Sequence, residues 1–201
     1  MSKRLYFASA YTFFLSGMIL AQTLSIGPVA GANFSTISNT TSSKTLVGLS
    51  LGGFANYSIK EHLGLNGKLL FDQMGTGLEN TDNIIRLNYI RVPLSAVYFF
   101  GKNGDKIRPK LFAGPYVGFL MNATYSNGDD IILFNGKDAF SSTDFGGLLG
   151  AGFNYIFGDR NWLNIDAGYN ASFNNISNEI GSDKKNTGFQ ITAGVSFPIG
   201  R

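Results

Sequence analysis

The chain has 201 residues, of which 26 are glycine, 14% are aromatic and only 14% are charged. Cysteine is absent and histidine occurs once, as His62, which excludes a disulfide framework, a thiolate zinc site, a cysteine nucleophile and a metal centre with several histidines. The formal net charge is +3 and lysine and arginine are not clustered, so nucleic acid is not an expected partner.

The N-terminus predicts an export signal. Lys3 and Arg4 form a positive head, residues 5–20 carry no charge, and Ala21 is a small residue at the end of the run. This arrangement is typical of a secretory signal peptide over 1–21, which leaves 22–201 as the mature domain. The alternative is a membrane-spanning helix, which needs about 20 apolar residues. The uncharged run is shorter and contains serine, threonine and glycine, which favours the signal peptide.

Beyond residue 22, apolar residues recur with a period of two, which predicts strands rather than helices. The last segment is the clearest, because every odd position from Phe189 to Ile199 is apolar while the even positions are Gln, Thr, Gly, Ser and Pro. In chain order, the predicted strands occupy 25–34, 47–58, 63–72, 90–100, 108–121, 144–157, 163–173 and 189–199.

The length of these segments favours a membrane barrel. A strand crosses a bilayer with about 9 to 11 residues, whereas strands of soluble proteins average about five or six. The predicted connections alternate between long and short: 36–45, 60–62, 74–84, 101–106, 122–141, 158–161 and 175–187. Outer-membrane barrels have short periplasmic turns, long extracellular loops and an even number of strands. The prediction is an all-β, eight-stranded antiparallel up-and-down transmembrane β-barrel.

A soluble barrel of the lipocalin type is the alternative architecture. Its water-facing side would be rich in lysine and glutamate and its interior would be apolar. Here the polar face of each strand is small and rich in glycine, which suits the crowded interior of a narrow barrel. The other face is large and continuously apolar, which suits contact with lipid.

Charged residues on the inward face are the candidate functional group, because buried charges must be paired. Counting residues from the short turns places Lys110 near Asn154 and Asn154 near Asp166, which predicts a Lys110–Asp166 bridge, either direct or through Asn154. The same count places Lys68 close to Arg91, with Asp72 neutralising both. The predicted network fills the lumen; the alternative is a proton or ion path. Its members are Lys68, Asp72, Arg91, Lys110, Asp144 and Asp166.

Three other motifs give weaker indications of a site. The glycine run 146–152 lies inside a predicted strand with no helix after it, so a phosphate loop is not expected. His62 beside Glu61 is interpreted as a solvated turn residue rather than a catalytic base. The carboxylates of Asp129 and Asp130 lack the further ligands of a calcium site. The apolar segment 131–134 either folds back as a hairpin or docks on a partner.

Several strands resemble those of the PorT-like outer-membrane β-barrel family. The segment from Tyr89 to Leu94 is similar to its Tyr-x-x-(Ile/Val)-Pro-Leu strand, and 109–116 resembles its Pro-x-x-x-x-Gly-Pro-Tyr strand. The segment 144–153 resembles its Asp-Phe-Gly strand with a later Gly-x-Gly. The chain departs from the family at Arg91, where an acidic residue is common. It also departs at its end, where residues 198–201 stand in place of a terminal aromatic residue and Phe197 is the substitute. The resemblance implies no catalytic residues, and it implies an association of some members with protein secretion machinery.

These observations predict a small integral outer-membrane protein of a Gram-negative bacterium with a structural or interaction role. Its expected contacts are outer-membrane lipid and protein partners that bind the extracellular loops, within an envelope or secretion complex. A narrow pore for small solutes or ions is the alternative. An enzyme is not expected because no nucleophile–base pair is evident, and neither a metal nor a cofactor is expected.

Overall fold

A computed structural model describes residues 24–40, 43–78, 83–102, 104–133, 135–158 and 160–199. The predicted signal peptide, 1–21, lies outside the described residues. The described residues contain no helix that is long and apolar enough to cross a membrane.

Eight antiparallel strands form a closed barrel in chain order, and the pairing of the first strand with the last closes it. The predicted fold class is confirmed. The strands are β1 Leu24–Ile37, β2 Ser43–Ser58, β3 Leu63–Leu78, β4 Ile84–Phe99, β5 Ile107–Thr124, β6 Thr143–Phe157, β7 Asn161–Ser172 and β8 Asn186–Ile199.

The expected alternation of long and short connections is wrong in the first half of the chain. The connections 38–42 and 79–83 are shorter than 100–106, which was predicted to be a short turn. The reason is that β2, β3 and β4 each reach 16 residues and extend past their apolar segments on the side of the predicted extracellular loops. In β3 and β4, backbone hydrogen bonds continue the hairpin ladder into residues where the period of two is lost, because Met74, Leu87 and Tyr89 are large apolar residues buried inside the barrel. Only 125–142 and 173–185 remain as long loops.

The two faces of the strands separate as the period of two predicts. In β8, Phe189, Ile191 and Phe197 are exposed, while Thr192 and Ser196 are buried in the lumen. Val97 and Phe99 interrupt the alternation in the sequence because both are large apolar residues that point inward and are buried. The outer surface is therefore continuously apolar, and the interior is mainly polar.

An apolar cluster closes the barrel at the end of the long loops. It combines strand residues with Ile131 and Phe140 from 125–142 and Ile176 from 173–185. The segment from Ile131 folds back on the barrel: its amide donates to the Ala123 carbonyl at 2.9 Å, and the Ala139 amide donates to the Ile131 carbonyl at 3.3 Å. The fold-back alternative for this segment thus matches residues 131–133; Phe134 lies outside the described residues.

Candidate functional site

A cluster of three charges lies in the half of the lumen that is farther from the long loops. The carboxylate of Asp166 on β7 contacts the amino group of Lys110 at 2.7 Å and that of Lys68 at 3.1 Å. All three side chains are buried or nearly buried. The sequence predicted the contact between Lys110 and Asp166 but did not predict the contribution of Lys68, which reaches Asp166 from β3 across the barrel. Two cations thus share one carboxylate.

Gly152 on β6 allows Lys110 and Asp166 to meet directly. The register pairs Lys110 with Gly152 and Gly152 with Asp166, whereas Asn154 pairs with Arg108 and Asn164. The predicted position of Asn154 between the two charges is therefore wrong, because counting from the turns missed the register by two residues. A Cβ at position 152 would lie 2.3 Å from the backbone carbonyl oxygen of Ile165 and 2.5 Å from Asp166 Oδ1, the oxygen that contacts Lys110.

Gly152→Ala is expected to lower the free energy of unfolding by about 1–3 kcal/mol, because the new methyl group meets the Ile165 backbone carbonyl and also crowds the Asp166 carboxylate. The matched control is Gly67→Ala in β3, where the nearest atom to an added Cβ is Leu94 Cδ1 at 3.9 Å. Urea unfolding in lipid vesicles measures both variants. Equal stabilities would contradict the close approach of β6 and β7 at Gly152.

A second charged cluster lies closer to the loop-covered end. Arg91 Nη1 contacts Asp72 Oδ2 at 3.2 Å, and the Arg91 guanidinium stacks over Tyr116 at 3.9 Å from the ring centroid. Asp72 Oδ1 also accepts hydrogen bonds from Asn33 at 3.0 Å and from Gln190 at 3.1 Å. The expected sharing of Asp72 by Lys68 and Arg91 is wrong, since Lys68 contacts Asp166 instead.

Asp144 forms a third cluster that contains no cation. Its carboxylate accepts hydrogen bonds from Ser172 at 2.6 Å, Asn186 at 3.0 Å and Tyr116 at 3.4 Å. None of the ion pairs found in the described part of the chain includes Asp144. The six predicted residues are therefore all inside the lumen, in three groups, of which the second and third are joined by Tyr116. Sequence reasoning missed Ser172 and Asn186 because it considered formal charges and not neutral donors.

A chain of amide side chains crosses the lumen between the charged clusters and the end opposite the long loops. Asn66 Nδ2 donates to Asn56 Oδ1 at 2.6 Å, Asn56 Nδ2 donates to Asn164 Oδ1 at 3.2 Å, and Asn164 Nδ2 donates to Ser196 at 3.1 Å. The chain connects β2 with β7, which are not neighbours in the sheet. Alternating inward positions in the sequence identify these asparagines, but only the closed barrel places them opposite one another.

Two cavities of very different size lie inside the barrel. The cavity beside Lys68 and Asp166 has a volume of about 20 Å³, which is room for about one water molecule. At the end opposite the long loops, a larger cavity of about 280 Å³ reaches as far as Asn56 and Ser196 of the amide chain. The arrangement can hold charges in fixed positions in the middle of the lumen.

The weaker sequence motifs have ordinary structural roles. His62 Nδ1 lies 3.0 Å from the Phe99 carbonyl oxygen, and its ring stacks on Tyr98 at 6.0 Å between centroids. Asn127 and Asp129 bond to each other at 2.7 Å within their own turn. The glycine run 146–152 lies within β6. Among the described residues, no group of three or more His, Asp or Glu side chains is arranged to hold a metal ion.

Comparison with known families identifies the architecture. The family model described as "Outer membrane protein beta-barrel domain" matches residues 20–178. The chain belongs to this outer membrane protein family. Proteins of this kind reside in the lipid bilayer, which accounts for the continuously apolar outer surface of the barrel. No curated protein sequence matches the chain significantly.

Solved barrels of the same kind share the fold. Neisserial surface protein A is 17% identical, with a TM-score of 0.59 over 89% of this chain and 100% of that one. OprG from Pseudomonas aeruginosa is 15% identical, with a TM-score of 0.55 over 90% of this chain and 97% of that one. Outer membrane protein W from E. coli is 16% identical, with a TM-score of 0.51 over 90% of this chain and 100% of that one. These similarities support the fold alone.

Proposed function

We propose that this outer membrane protein is a closed barrel with a structural and interaction role, and that it offers its long loops to protein partners outside the cell. The observation that carries the proposal is the set of buried clusters inside the barrel, because charged side chains in its middle and apolar side chains at the loop end occupy space that a solute would need. We place the protein in the outer membrane of a Gram-negative bacterium, with export directed by a signal peptide over 1–21.

The two long loops are joined to each other by hydrogen bonds and form a common surface, here called the platform, that supports this role. Asn178 Nδ2 donates to the carbonyls of Asp138 at 3.0 Å and Phe140 at 2.9 Å, which joins 173–185 to 125–142. At the surface of the platform, Ile180 is fully exposed, with a relative exposure of 102%, and Ile132 is also largely exposed. We propose that this joined loop surface, with its two exposed isoleucines, is the part of the protein that contacts a partner.

The resemblance to PorT-like barrels directs the proposal toward an envelope or protein secretion complex. Such a role needs no catalytic group, and we propose that the protein is not an enzyme. A photo-reactive residue placed at Ile180 on intact cells should form defined cross-links to protein. The same residue at Leu69, which lies on the apolar outer face, is the matched control. Absence of protein cross-links at Ile180, or the same products at both positions, would overturn a role for the loops.

The narrow pore is tested separately by electrical recording. Wild-type protein inserted in a planar bilayer is expected to show no sustained conductance, because the lumen is blocked at two levels. A porin inserted under the same conditions shows that openings are detectable. Steady ion-selective openings that Asp166→Ala abolishes would replace the closed barrel with the pore.

A further inference from the structure

A cavity of about 280 Å³ lies inside the end of the barrel opposite the long loops, where the short turns and both ends of the barrel domain meet. We call it the vestibule. Its lining includes Arg108, Arg160, Trp162, Asn154, Ser58 and Phe99. Its volume is close to the lower limit of about 300 Å³ for small-molecule sites, so it suits a ligand of a few heavy atoms or the end of a longer one.

Arg108 is the central residue of the vestibule. It is only 5% exposed, and its guanidinium lies 4.5 Å from the centroid of the Phe99 ring. Its Nη2 atom donates to a backbone carbonyl, that of Glu61, while Nε is buried without a hydrogen-bond partner. A buried guanidinium with unused hydrogen-bonding capacity is costly unless a counter-charge reaches it.

The neighbouring carboxylates do not occupy the vestibule. Glu61 and Asp105 attract Arg108 electrostatically from the adjacent turns, but neither lines the cavity. The Asp105 carboxylate instead accepts a hydrogen bond from the backbone amide of Lys102 at 2.7 Å. The formal charges among the lining residues are those of two arginines, Arg108 and Arg160, so the vestibule is cationic.

The remaining polar lining has hydrogen-bonding capacity to spare. Asn154 lies directly opposite Arg108 in the sheet, and its Nδ2 amide group is the donor that this side chain can offer to an anion, since its Oδ1 atom only accepts hydrogen bonds. Hydroxyl groups of Ser25, Ser58 and Ser196 line the same cavity, while Trp162 and Phe99 provide aromatic walls. Guanidinium groups bind carboxylate and phosphate oxygens with two parallel hydrogen bonds, and hydroxyl groups provide further donors.

We propose that the vestibule binds a small oxyanion, the carboxylate or phosphate group of a periplasmic molecule, with Arg108 as the principal ligand and Arg160 as the second cation at the cavity. The aromatic walls suit an organic body attached to that group. This inference does not depend on the loops, because the vestibule lies at the opposite end of the barrel.

The chain contains a single tryptophan, Trp162, so its fluorescence reports directly on the vestibule. Folded protein in a non-ionic detergent is titrated with sodium phosphate and with sodium acetate, and sodium chloride at equal ionic strength serves as the salt control. Both oxyanions are expected to give a saturable change in emission that chloride does not give. Saturation by only one of them would assign the site to that group.

Variants separate the site from a general salt effect. Arg108→Gln is expected to raise the dissociation constant about tenfold or more, because it removes charge-assisted hydrogen bonds to the anion. Arg160→Gln, in an exposed turn, is expected to raise it by a smaller factor, and Lys137→Gln in the distant loop should leave it unchanged. Heat-modifiable migration on a gel confirms folding of each variant. No saturable change in the wild type, or equal dissociation constants for the wild type and both arginine variants, would overturn the proposal.

Discussion

Asp166→Ala is expected to lower the free energy of unfolding by about 3–5 kcal/mol, because it leaves buried cations without their carboxylate. We expect this loss of stability to exceed that caused by breaking a single ion pair, because both Lys68 and Lys110 contact Asp166. Urea unfolding in lipid vesicles, followed by Trp162 fluorescence, measures the change. The chain has one tryptophan, so the signal comes from one site.

The matched control is an ion pair of the same chemistry at the surface. Glu179 contacts Lys184 at 3.3 Å in the outer loop 173–185, with the glutamate side chain 58% exposed. Glu179→Ala is expected to cost at most about 1 kcal/mol, because water screens an exposed pair. A similar loss for both variants would contradict a buried charge cluster in the lumen.

Replacing the whole cluster with apolar residues should restore stability. The double variant Lys110→Met with Asp166→Leu still leaves Lys68 without a carboxylate, so we expect only partial recovery relative to Asp166→Ala. The triple variant that adds Lys68→Met removes all three charges and should approach the wild type, as buried ion clusters often can be replaced by apolar residues of similar volume. Recovery that is complete in the double variant would show that Lys68 does not depend on Asp166.

Ile191→Arg is expected to destabilise the barrel by about 2–4 kcal/mol in a bilayer, because an arginine near the midplane of the lipid face is poorly solvated. Ile191 lies near the middle of β8 and is 44% exposed on the outer surface. The matched control is Ile199→Arg at the end of the same strand, where Ile199 is 50% exposed.

At that position the arginine reaches the membrane interface, so the expected cost is at most about 1 kcal/mol. Folding titrations in vesicles give both values. Equal costs at the two positions would contradict the placement of β8 across the membrane.

The strands and their faces follow from the sequence because the period of two is a local property. Each inward or outward position, such as Lys110 or Ile191, depends on its neighbours along one strand. Two large inward residues, Val97 and Phe99, blurred this pattern without changing the face of the strand. The ends of the strands were predicted less well, because on the side of the predicted extracellular loops backbone pairing continues into residues that no longer follow the period of two, such as the buried Leu87 and Tyr89.

The sequence predicted which charged residues lie inside the barrel but did not predict most of the contacts between them. Each of Lys68, Asp72, Arg91, Lys110, Asp144 and Asp166 was placed inward from its own strand. Which cation meets which carboxylate depends on the register between strands, and a shift of two residues moved Asn154 away from Asp166. The contact between Lys68 and Asp166 joins strands that are not neighbours in the sheet.

The sequence alone determined the fold class, the apolar outer face and the set of inward charges, because alternation and composition depend only on residues that are close together along the chain. The tertiary structure decided the division into three clusters, the amide chain across the lumen, the apolar cluster at the loop end and the vestibule around Arg108. Each of these features requires side chains from distant strands to meet inside a closed cylinder. Their distances depend on register and closure, which no single stretch of sequence contains.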